Sequence, residues 1–295
     1  MTRFTLQAPA KLNLLLAVSP TIEQGRHTLT SVFTTIDLCD KLTFSFASNP
    51  ERRITLEVLS APDIPPLNLP MEQNIVYKAV AALEESCARE LKGHLHILLE
   101  KSIPPEAGLA GGSSNAATTL KALASIWDLD PLGASVIEAA KRLGADVPYF
   151  LYNSCALMGG NGSQLLKLLP QPALDVVLVK PPAGVSTAAA YAAFDADPQP
   201  EPPAQPLVTL LEQRNASPQL IANQLANNLT SAACSLLPEL AALITDVAAQ
   251  PGVYAALMTG SGSTVFGVCE SADTAKGNAR YFQRQGYWAT PATTA

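Results

Sequence analysis

The chain has 295 residues, of which 48% are hydrophobic, and this is enough apolar material for the cores of two domains. The formal net charge of −6 and a sequence pI near 5.1 argue against the broad basic surface of a nucleic-acid-binding protein. Five cysteines without a Cys-x-x-Cys pair favour neither a zinc site nor a disulfide framework. The sequence opens without a signal peptide and lacks a run of about 18 apolar residues, which predicts a cytoplasmic protein without a membrane span.

The N-terminal part is predicted to be rich in strands. Short runs of branched and apolar residues alternate with turn-forming residues, as is typical of strands bounded by turns. The predicted strands are residues 4–6, 13–18, 31–37, 41–46, 54–59 and 94–99, with turns at residues 8–11 and 21–27. Residues 74–87 are predicted to form a helix, because apolar side chains recur there with helical spacing, namely Ile75, Val76, Ala79, Val80 and Leu83.

The C-terminal part mixes helices and strands. Helices are predicted at residues 115–127, 135–143, 187–194, 236–249 and 272–285, and the second of these ends at Gly144. Strands are predicted around residues 156–158, 175–179, 254–258 and 265–269, and residues 195–206 are predicted to be an exposed proline-rich loop. Because strands and helices do not alternate regularly, the pattern favours an α+β fold, with domains at residues 1–160 and 161–295.

Residues 103–121 read IPPEAGLAGGSSNAATTLK and combine a glycine-rich loop with a helix start, directly after a predicted strand. Glycine lets backbone N–H groups approach a ligand closely, and a helix N-terminus favours a bound phosphate. Ser113, Ser114 and Asn115 are expected N-cap residues, and the serine hydroxyls could reach a metal-bound phosphate. The stretch is neither a P-loop nor a dinucleotide fingerprint. A flexible loop capped by a serine is the alternative.

Two charged residues are candidates for chemistry at a bound phosphate. Asp146 follows a helix stop, so its carboxylate could act as a general base in a cleft, or could bond its own backbone in a turn. Lys11 could extend to water, or could pair with Asp146 and steady the charge of a transferring phosphoryl group. Asn13 could orient these groups or lie on the outer face of a strand. Because no metal-ligand cluster is evident, Mg²⁺ is expected to arrive with a nucleotide.

Four separated motifs resemble the GHMP small-molecule kinase family. They are residues 9–14 (PAKLNL), 104–117 (PPEAGLAGGSSNAA), 144–148 (GADVP) and 258–266 (MTGSGSTVF). They occur in the expected order over almost the whole chain, so the resemblance is specific, whereas one glycine loop alone would be weak. It implies an N-terminal domain like ribosomal protein S5 domain 2, a ferredoxin-like C-terminal domain, and an active site between them.

The resemblance also implies an activity, namely ATP-dependent phosphorylation of a cytidine-diphosphate-linked polyol. Asp146 would be the base toward the substrate's 2-hydroxyl, and Lys11 would keep Asp146 ionised and steady the phosphoryl group. The implied ATP-binding residues are Pro104, Pro105, Glu106, Ala107, Gly108, Leu109, Ala110, Gly111, Gly112, Ser113, Ser114 and Asn115. The implied acceptor-binding residues are Asn13, Arg26, His27, Tyr191, Gly260, Ser261 and Gly262.

The resemblance implies that His27 recognises cytosine. Residues 25–27 correspond to a glycine–aromatic–histidine turn in the member of the family that acts on such a polyol. Arg26 departs from that pattern, although a guanidinium plane can also stack on a base. Tyr191 would cover the other face of the base. Residues 159–164 also differ from the family pattern, because they lack the charged residues that the family often has at this place. Without the resemblance, a lone turn histidine is most often simply exposed.

Two other hypotheses stay open. The first is a related kinase acting on homoserine, mevalonate or a sugar, although residues 9–14 together with His27 suit a nucleotide-linked acceptor better. The second is a non-catalytic ligand sensor on the same scaffold, although Lys11 and Asp146 are both present, as a catalyst requires. A monomer or a homodimer is expected.

Overall fold

The computed structural model describes residues 2–23, 26–152, 154–213 and 215–295, with the side chains of residues 21–23 and 26 outside the description. The strands are β1 (Thr2–Glu23), β2 (Arg26–Ala47), β3 (Arg53–Ser60), β4 (His94–Lys101), β5 (Cys155–Gly159), β6 (Gln164–Leu169), β7 (Asp175–Lys180), β8 (Ala226–Asn227), β9 (Val253–Met258), β10 (Val265–Cys269) and β11 (Trp288–Thr293). The helices are α1 (Ile75–Ser86), α2 (Gly111–Trp127), α3 (Ala134–Leu143), α4 (Tyr149–Tyr152), α5 (Thr187–Ala196), α6 (Gln205–Glu212), α7 (Pro218–Ala222), α8 (Thr230–Leu236), α9 (Glu239–Ala248) and α10 (Ala272–Arg284), with a 3₁₀ turn at Met71–Gln73. The predicted α+β class is confirmed.

The chain divides into two compact units. Unit 1 comprises Met1–Ala10, Leu38–Pro105 and Ala110–Asn153. Unit 2 comprises Lys11–Asp37, Glu106–Leu109 and Ser154–Ala295. Strands β1 and β2 therefore each contribute residues to both units. The sequence-based division into residues 1–160 and 161–295 stays a prediction.

In unit 1, strand β4 lies inside the sheet. It pairs in parallel with β3 and antiparallel with β2, and β1 follows β2 in the strand order. Alternate residues of β4 are buried, as expected of a strand with one covered face, and they are Leu95, Ile97, Leu99 and Lys101. The strand predicted at residues 94–99 is confirmed, and it continues to a lysine at a buried position.

Helices α1 and α3 of unit 1 follow the sequence predictions closely. Helix α1 begins after Asn74, whose Oδ1 accepts the backbone N–H of Val76 at 2.9 Å, a normal N-cap bond. Its buried residues are four of the five predicted, namely Val76, Ala79, Val80 and Leu83. Helix α1 contacts α2 and α3, and α3 ends at Gly144 as predicted. Apolar spacing and end signals were sufficient here.

Lys121, on helix α2, is a half-buried lysine. Its Nζ donates a hydrogen bond to the backbone oxygen of Phe150 at 2.6 Å. Burial lowers the pKa of Lys121 to about 8, because desolvation disfavours the ammonium form. Below pH 8 the lysine is protonated in both the folded and the unfolded chain, so the full cost of burying the charge, about 3 kcal/mol, opposes folding.

We expect Lys121→Met to raise the free energy of unfolding at pH 7 by about 1–2 kcal/mol, since the lost hydrogen bond offsets part of the relieved burial cost. Between pH 8 and about 10.5 the unfolded chain binds more protons than the folded one, so the stability of the unmodified protein rises with pH. The advantage of the variant should therefore shrink over this range. Urea unfolding at pH 7 and pH 10 measures it.

The matched control for this experiment is Lys78→Met, at an exposed position of α1 in the same unit. Its stability difference from the unmodified protein should be the same at both pH values. If the stability difference between Lys121→Met and the unmodified protein were also the same at both pH values, Lys121 would not carry the cost of a buried charge.

Unit 2 contains a four-stranded antiparallel sheet with the order β11-β7-β10-β9. Helix α9 precedes β9 and α10 follows β10, which gives the β-α-β-β-α-β connection of a ferredoxin-like domain. Sheet and helices share one apolar core, which includes Val177, Val179, Leu243, Val265 and Phe282. The predicted ferredoxin-like arrangement is confirmed.

Several predicted elements are wrong in extent. The turn predicted at residues 8–11 is part of β1, and the break at residues 38–40 is part of β2, because proline and short polar residues did not end these strands. Of the turn predicted at residues 21–27, residues 21–23 belong to β1 and 26–27 to β2, and residues 24–25 lie outside the described residues. The helix predicted at residues 236–249 corresponds to α9, which begins only at Glu239 after its N-cap residue Pro238, whereas Leu236 is the last residue of α8. Helix α6 also begins inside the predicted loop at residues 195–206.

Candidate active site

The backbone between β4 and α2 takes left-handed conformations at alternate positions. Glu106, Gly108 and Ala110 have φ values of 51°, 72° and 54°. Such values cost a non-glycine residue on the order of 1 kcal/mol, so they persist only where the surrounding structure fixes them, and they cluster at functional sites. The predicted glycine-rich loop is therefore a shaped turn with a fixed backbone, which favours a binding loop over a flexible linker.

In unit 1, the start of helix α2 offers unsatisfied polar groups. The helix begins at Gly111 with no side-chain cap at Ala110, so the prediction of a start at Asn115 with caps from Ser113, Ser114 or Asn115 is wrong. The glycines are the first helical residues, because Ala110 takes the left-handed conformation that ends the loop. Ser114 Oγ and Asn115 Oδ1 are buried without a hydrogen-bond partner in the part of the chain that is described. With the free N–H groups of the helix start, these atoms suit a polyphosphate and its metal ion.

In unit 2, residues 106–109 pack against the turn between β9 and β10. The backbone N–H of Thr264 donates to the oxygen of Ala107 at 3.3 Å, and that of Lys11 donates to the oxygen of Leu109 at 3.1 Å. A Cβ on Gly108 would lie 2.2 Å from the backbone oxygen of Thr259. Both the positive φ and the close approach therefore require glycine at position 108.

Lys11 is buried in unit 2, with 3% of its surface exposed. Its Nζ donates to Asn13 Oδ1 at 2.6 Å and to the oxygen of Gly108 at 2.7 Å, and it lies 5.4 Å from the centre of the Phe33 ring. The alternative in which this lysine extends to water is wrong. The ammonium stands instead against the backbone of the predicted nucleotide loop.

Asn13 is also buried, so the alternative that it lies on an outer strand face is wrong. Its Nδ2 donates to Ser31 Oγ at 2.8 Å, and its backbone N–H donates to Thr259 Oγ1 at 3.1 Å. Because these bonds fix the amide, Asn13 Oδ1 is held toward Lys11. Its predicted contact with a substrate stays a prediction.

The second glycine turn, residues 259–263, is held by a residue that sequence reasoning missed. Asn227 Nδ2 donates to the oxygens of Met258 and Gly260, at 2.9 and 2.8 Å. Ser261 Oγ lies 2.8 Å from Thr187 Oγ1, and Gly262 donates its N–H to the oxygen of Thr259. The only signal in the sequence was the polar pair NN at residues 227–228 within an apolar segment.

Asp146 lies in unit 1, in the turn between α3 and α4, and is half-buried. The turn is closed by its backbone, since Val147 donates to the oxygen of Gly144 at 3.3 Å. Within unit 1 the carboxylate has no hydrogen bond or ion pair with a described residue, so the Asx-turn alternative is wrong. A half-buried carboxylate without a partner in its own unit suits a general base.

His27 is the centre of an aromatic cluster in unit 2. Its Nε2 lies 2.9 Å from Asp195 Oδ1 and its Nδ1 lies 2.9 Å from the backbone oxygen of Ser19. The Tyr191 ring is tilted at 5.4 Å, and Phe194 contacts the imidazole edge-on at 5.9 Å. The structure thus brings the predicted residues His27 and Tyr191 together, and adds three that were not predicted, namely Ser19, Phe194 and Asp195. Gly25 and the side chain of Arg26 lie outside the described residues.

Three further features concern the cysteines, metal ligands and membrane spans. None of the five cysteines forms a disulfide bond in the described residues. In the described ranges, no group of three or more His, Cys, Asp or Glu residues could hold a metal ion. None of the helices described above is long and apolar enough to cross a membrane.

Comparison with known proteins identifies two family matches. Residues 74–154 match the GHMP kinases N terminal domain, and residues 207–287 match the GHMP kinases C terminal domain. The fold predicted for the family is therefore confirmed for this chain.

Full-length relatives are also found. The 4-diphosphocytidyl-2-C-methyl-D-erythritol kinase of Pelotomaculum thermopropionicum is 38% identical, with 95% of this chain and 94% of the relative covered. The enzyme of the same name from Exiguobacterium sibiricum is 35% identical, with 92% and 91% covered. A crystal structure of 4-(cytidine 5'-diphospho)-2C-methyl-D-erythritol kinase superimposes with a TM-score of 0.78 at 33% identity, covering 98% of both chains.

Proposed function

Because this chain belongs to the GHMP kinase family, we propose that it transfers the γ-phosphate of ATP to the 2-hydroxyl of 4-diphosphocytidyl-2-C-methyl-D-erythritol. This reaction serves the non-mevalonate route to isoprenoid precursors. The observation that carries the proposal is the likeness to kinases of that name over more than nine-tenths of the chain. Homoserine, mevalonate and sugar kinase activities, and a sensor role, remain the alternatives.

ATP is proposed to bind at residues 104–115. The left-handed backbone conformations of Glu106, Gly108 and Ala110 give the loop its shape, and the free N–H groups at the start of α2 supply partial positive charge. Ser114 Oγ and Asn115 Oδ1 are buried oxygens that a phosphate with its metal ion would satisfy. Mg²⁺ would neutralise phosphate charge during transfer, and it would arrive with the nucleotide.

The proposed chemistry needs one base and one stabilising cation. Asp146 takes the proton of the acceptor hydroxyl as its oxygen forms a bond to the γ-phosphorus, while the bond from that phosphorus to the bridging oxygen of ADP breaks. Lys11 stabilises the negative charge on the transferring phosphoryl oxygens. Its burial beside Gly108 supports this role, because a positioned cation in a site of low polarity interacts strongly with developing charge.

Acceptor recognition is assigned to the cluster around His27. Tyr191 provides an aromatic face next to the imidazole, and both suit a flat base such as cytosine. Asp195 and the Ser19 oxygen fix the ring plane of His27, so that its edge and face present a constant surface. Asn13, Arg26, Gly260, Ser261 and Gly262 remain proposed contacts of the acceptor.

The test is transfer of labelled phosphate from ATP to a panel of acceptors. We expect kcat/KM for 4-diphosphocytidyl-2-C-methyl-D-erythritol to exceed that for homoserine, mevalonate and galactose by at least about 100-fold. The matched control acceptor is 2-C-methyl-D-erythritol 4-phosphate, which lacks the cytidylyl group. Its kcat/KM should be lower by a similar factor. Equal or faster transfer to another acceptor would reject the assigned substrate, and ATP binding without transfer to any acceptor would favour the sensor.

A further inference from the structure

A buried ion pair lies where β4 ends in unit 1. Lys101 Nζ donates a hydrogen bond to Asp40 Oδ2, and the two residues are 7% and 0% exposed. Charged side chains are rarely buried unless they are paired, and retaining such a pair requires excellent geometry. Neither residue belongs to the motifs that resemble the kinase family.

The second carboxylate oxygen of Asp40 bonds the backbone just before the predicted nucleotide loop. Asp40 Oδ1 accepts the N–H groups of Ser102 and Ile103 at 2.7 and 2.8 Å. The pairing between β2 and β4 ends with Lys41↔Glu100. Beyond this pair the side chain of Asp40 accepts the hydrogen bonds of the β4 side of the chain. The chain therefore enters the loop at Pro104 from a fixed point.

The ammonium of Lys101 in turn lies against the first residue of helix α2. A Cβ built on Gly111 would stand 3.4 Å from Lys101 Nζ and 2.9 Å from Ile103 Cγ2. A cation at a helix N-terminus is unfavourable, because this end of the helix carries partial positive charge. Asp40 compensates that charge, so the pair holds both ends of the loop region, Ile103 and Gly111, without leaving a net charge beneath them.

We propose, on the basis of the proposed function, that Asp40 and Lys101 are positioning residues for ATP. The pair sets where the loop leaves β4 and where α2 begins, and so it sets the geometry of the N–H groups that bind phosphate. Neither side chain takes part in the transfer itself. The pair acts because it carries no net charge and because Asp40 accepts the hydrogen bonds of two backbone N–H groups. This distinguishes it from a lysine that binds phosphate directly.

The test uses Asp40→Asn, Lys101→Met and the double variant that combines them. Asp40→Asn keeps an oxygen for the two amides but turns an NH₂ group toward the ammonium, and Lys101→Met leaves a buried carboxylate uncompensated. We expect each single variant to raise the KM for ATP about tenfold, with a much smaller effect on the acceptor KM. The double variant is neutral and keeps the amide acceptor, so its KM for ATP should return to within about threefold of the unmodified protein.

The matched control is Glu84→Gln, which breaks another ion pair of unit 1. Glu84 accepts hydrogen bonds from Arg52 at 2.9 and 2.7 Å and from the N–H of Leu91 at 2.9 Å. This change should lower stability and leave the KM for ATP unaltered, which separates positioning from general destabilisation. Binding of a fluorescent ATP analogue to each variant gives a readout that is independent of the acceptor.

Three results would overturn the positioning role. The first is a KM for ATP within twofold of the unmodified value in both single variants, and the second is an equal rise in the Glu84→Gln control. The third is a double variant as impaired as Lys101→Met, which would mean that the lysine charge binds phosphate directly. If Lys101→Met does not fold, Asp40→Asn and the double variant decide the question. Failure of the unmodified protein to bind the analogue would instead reject the proposed ATP site.

Discussion

Asp146→Ala is expected to lower kcat for phosphate transfer by about 10³-fold or more, while ATP still binds with an affinity within about threefold of the unmodified protein. The carboxylate is the proposed base, and its half-buried turn holds it without a partner from unit 1. Asp146→Asn keeps the shape and removes the basic oxygen, so it should be as inactive. Steady-state transfer with the cytidine substrate measures kcat, and equilibrium binding of an ATP analogue measures affinity.

The control for this pair of variants is Asp130→Ala. Asp130 also lies in a turn of unit 1, where its Oδ1 accepts the N–H of Leu132 at 2.9 Å. Losing that exposed bond should cost some stability and leave kcat unchanged. Turnover near that of the unmodified protein in Asp146→Asn would reject Asp146 as the base.

Lys11→Ala is expected to lower kcat and kcat/KM together by about 10²–10³-fold, the loss typical of removing one group that stabilises charge in the transition state. It also leaves Asn13 Oδ1 and the oxygen of Gly108 without this donor, so we expect a stability loss of about 1–3 kcal/mol. Lys11→Met preserves more of the buried volume and separates the two effects. Initial rates at 25 °C and urea unfolding measure them.

Lys167→Met, at an exposed position on β6 of the same unit, serves as the control and should change neither quantity. A loss in Lys11→Met that appears only as a raised acceptor KM would contradict a role in the transition state. Combining Lys11→Met with Asp146→Asn should reduce kcat little further than the worse single variant, because both residues are proposed to serve one step. If the fold-loss in kcat of the combined variant equalled the product of the two single losses, the two residues would act independently.

The sequence predicted elements well where local signals decided the structure. Helix α1 has a capping asparagine and a regular apolar stripe, and α3 has a glycine stop, so neither needed tertiary information. Strands β1 and β2 were broken into pieces because Pro9 and short polar residues look like turns. Those residues remain in strands because pairing along a 22-residue strand outweighs local turn preference.

The sequence motifs of the candidate site could be predicted, but the contacts between their residues could not. Lys11 bonds a residue 97 positions away, and the Asn13 N–H bonds one 246 positions away, so no window of sequence contains either contact. Asn227 and Asp195 were missed for the same reason, since each acts by bonding a segment far along the chain. The start of α2 was misplaced because Ala110 takes a left-handed conformation that glycine usually takes.

The composition of unit 2 constrains how the chain can fold during synthesis. Residues 11–37 are translated early, yet they bond to late residues such as Asn228, whose side-chain amide accepts the N–H of Val18 and donates to the oxygen of Val18, both at 2.8 Å. All residues of unit 1 lie at or before residue 153, so they are translated before most of unit 2. The early segment makes these contacts only after about 200 further residues have been translated, since Val18 and Asn228 are 210 positions apart. Formation of unit 2 is therefore expected to be a late step that depends on contacts between the two ends of the chain.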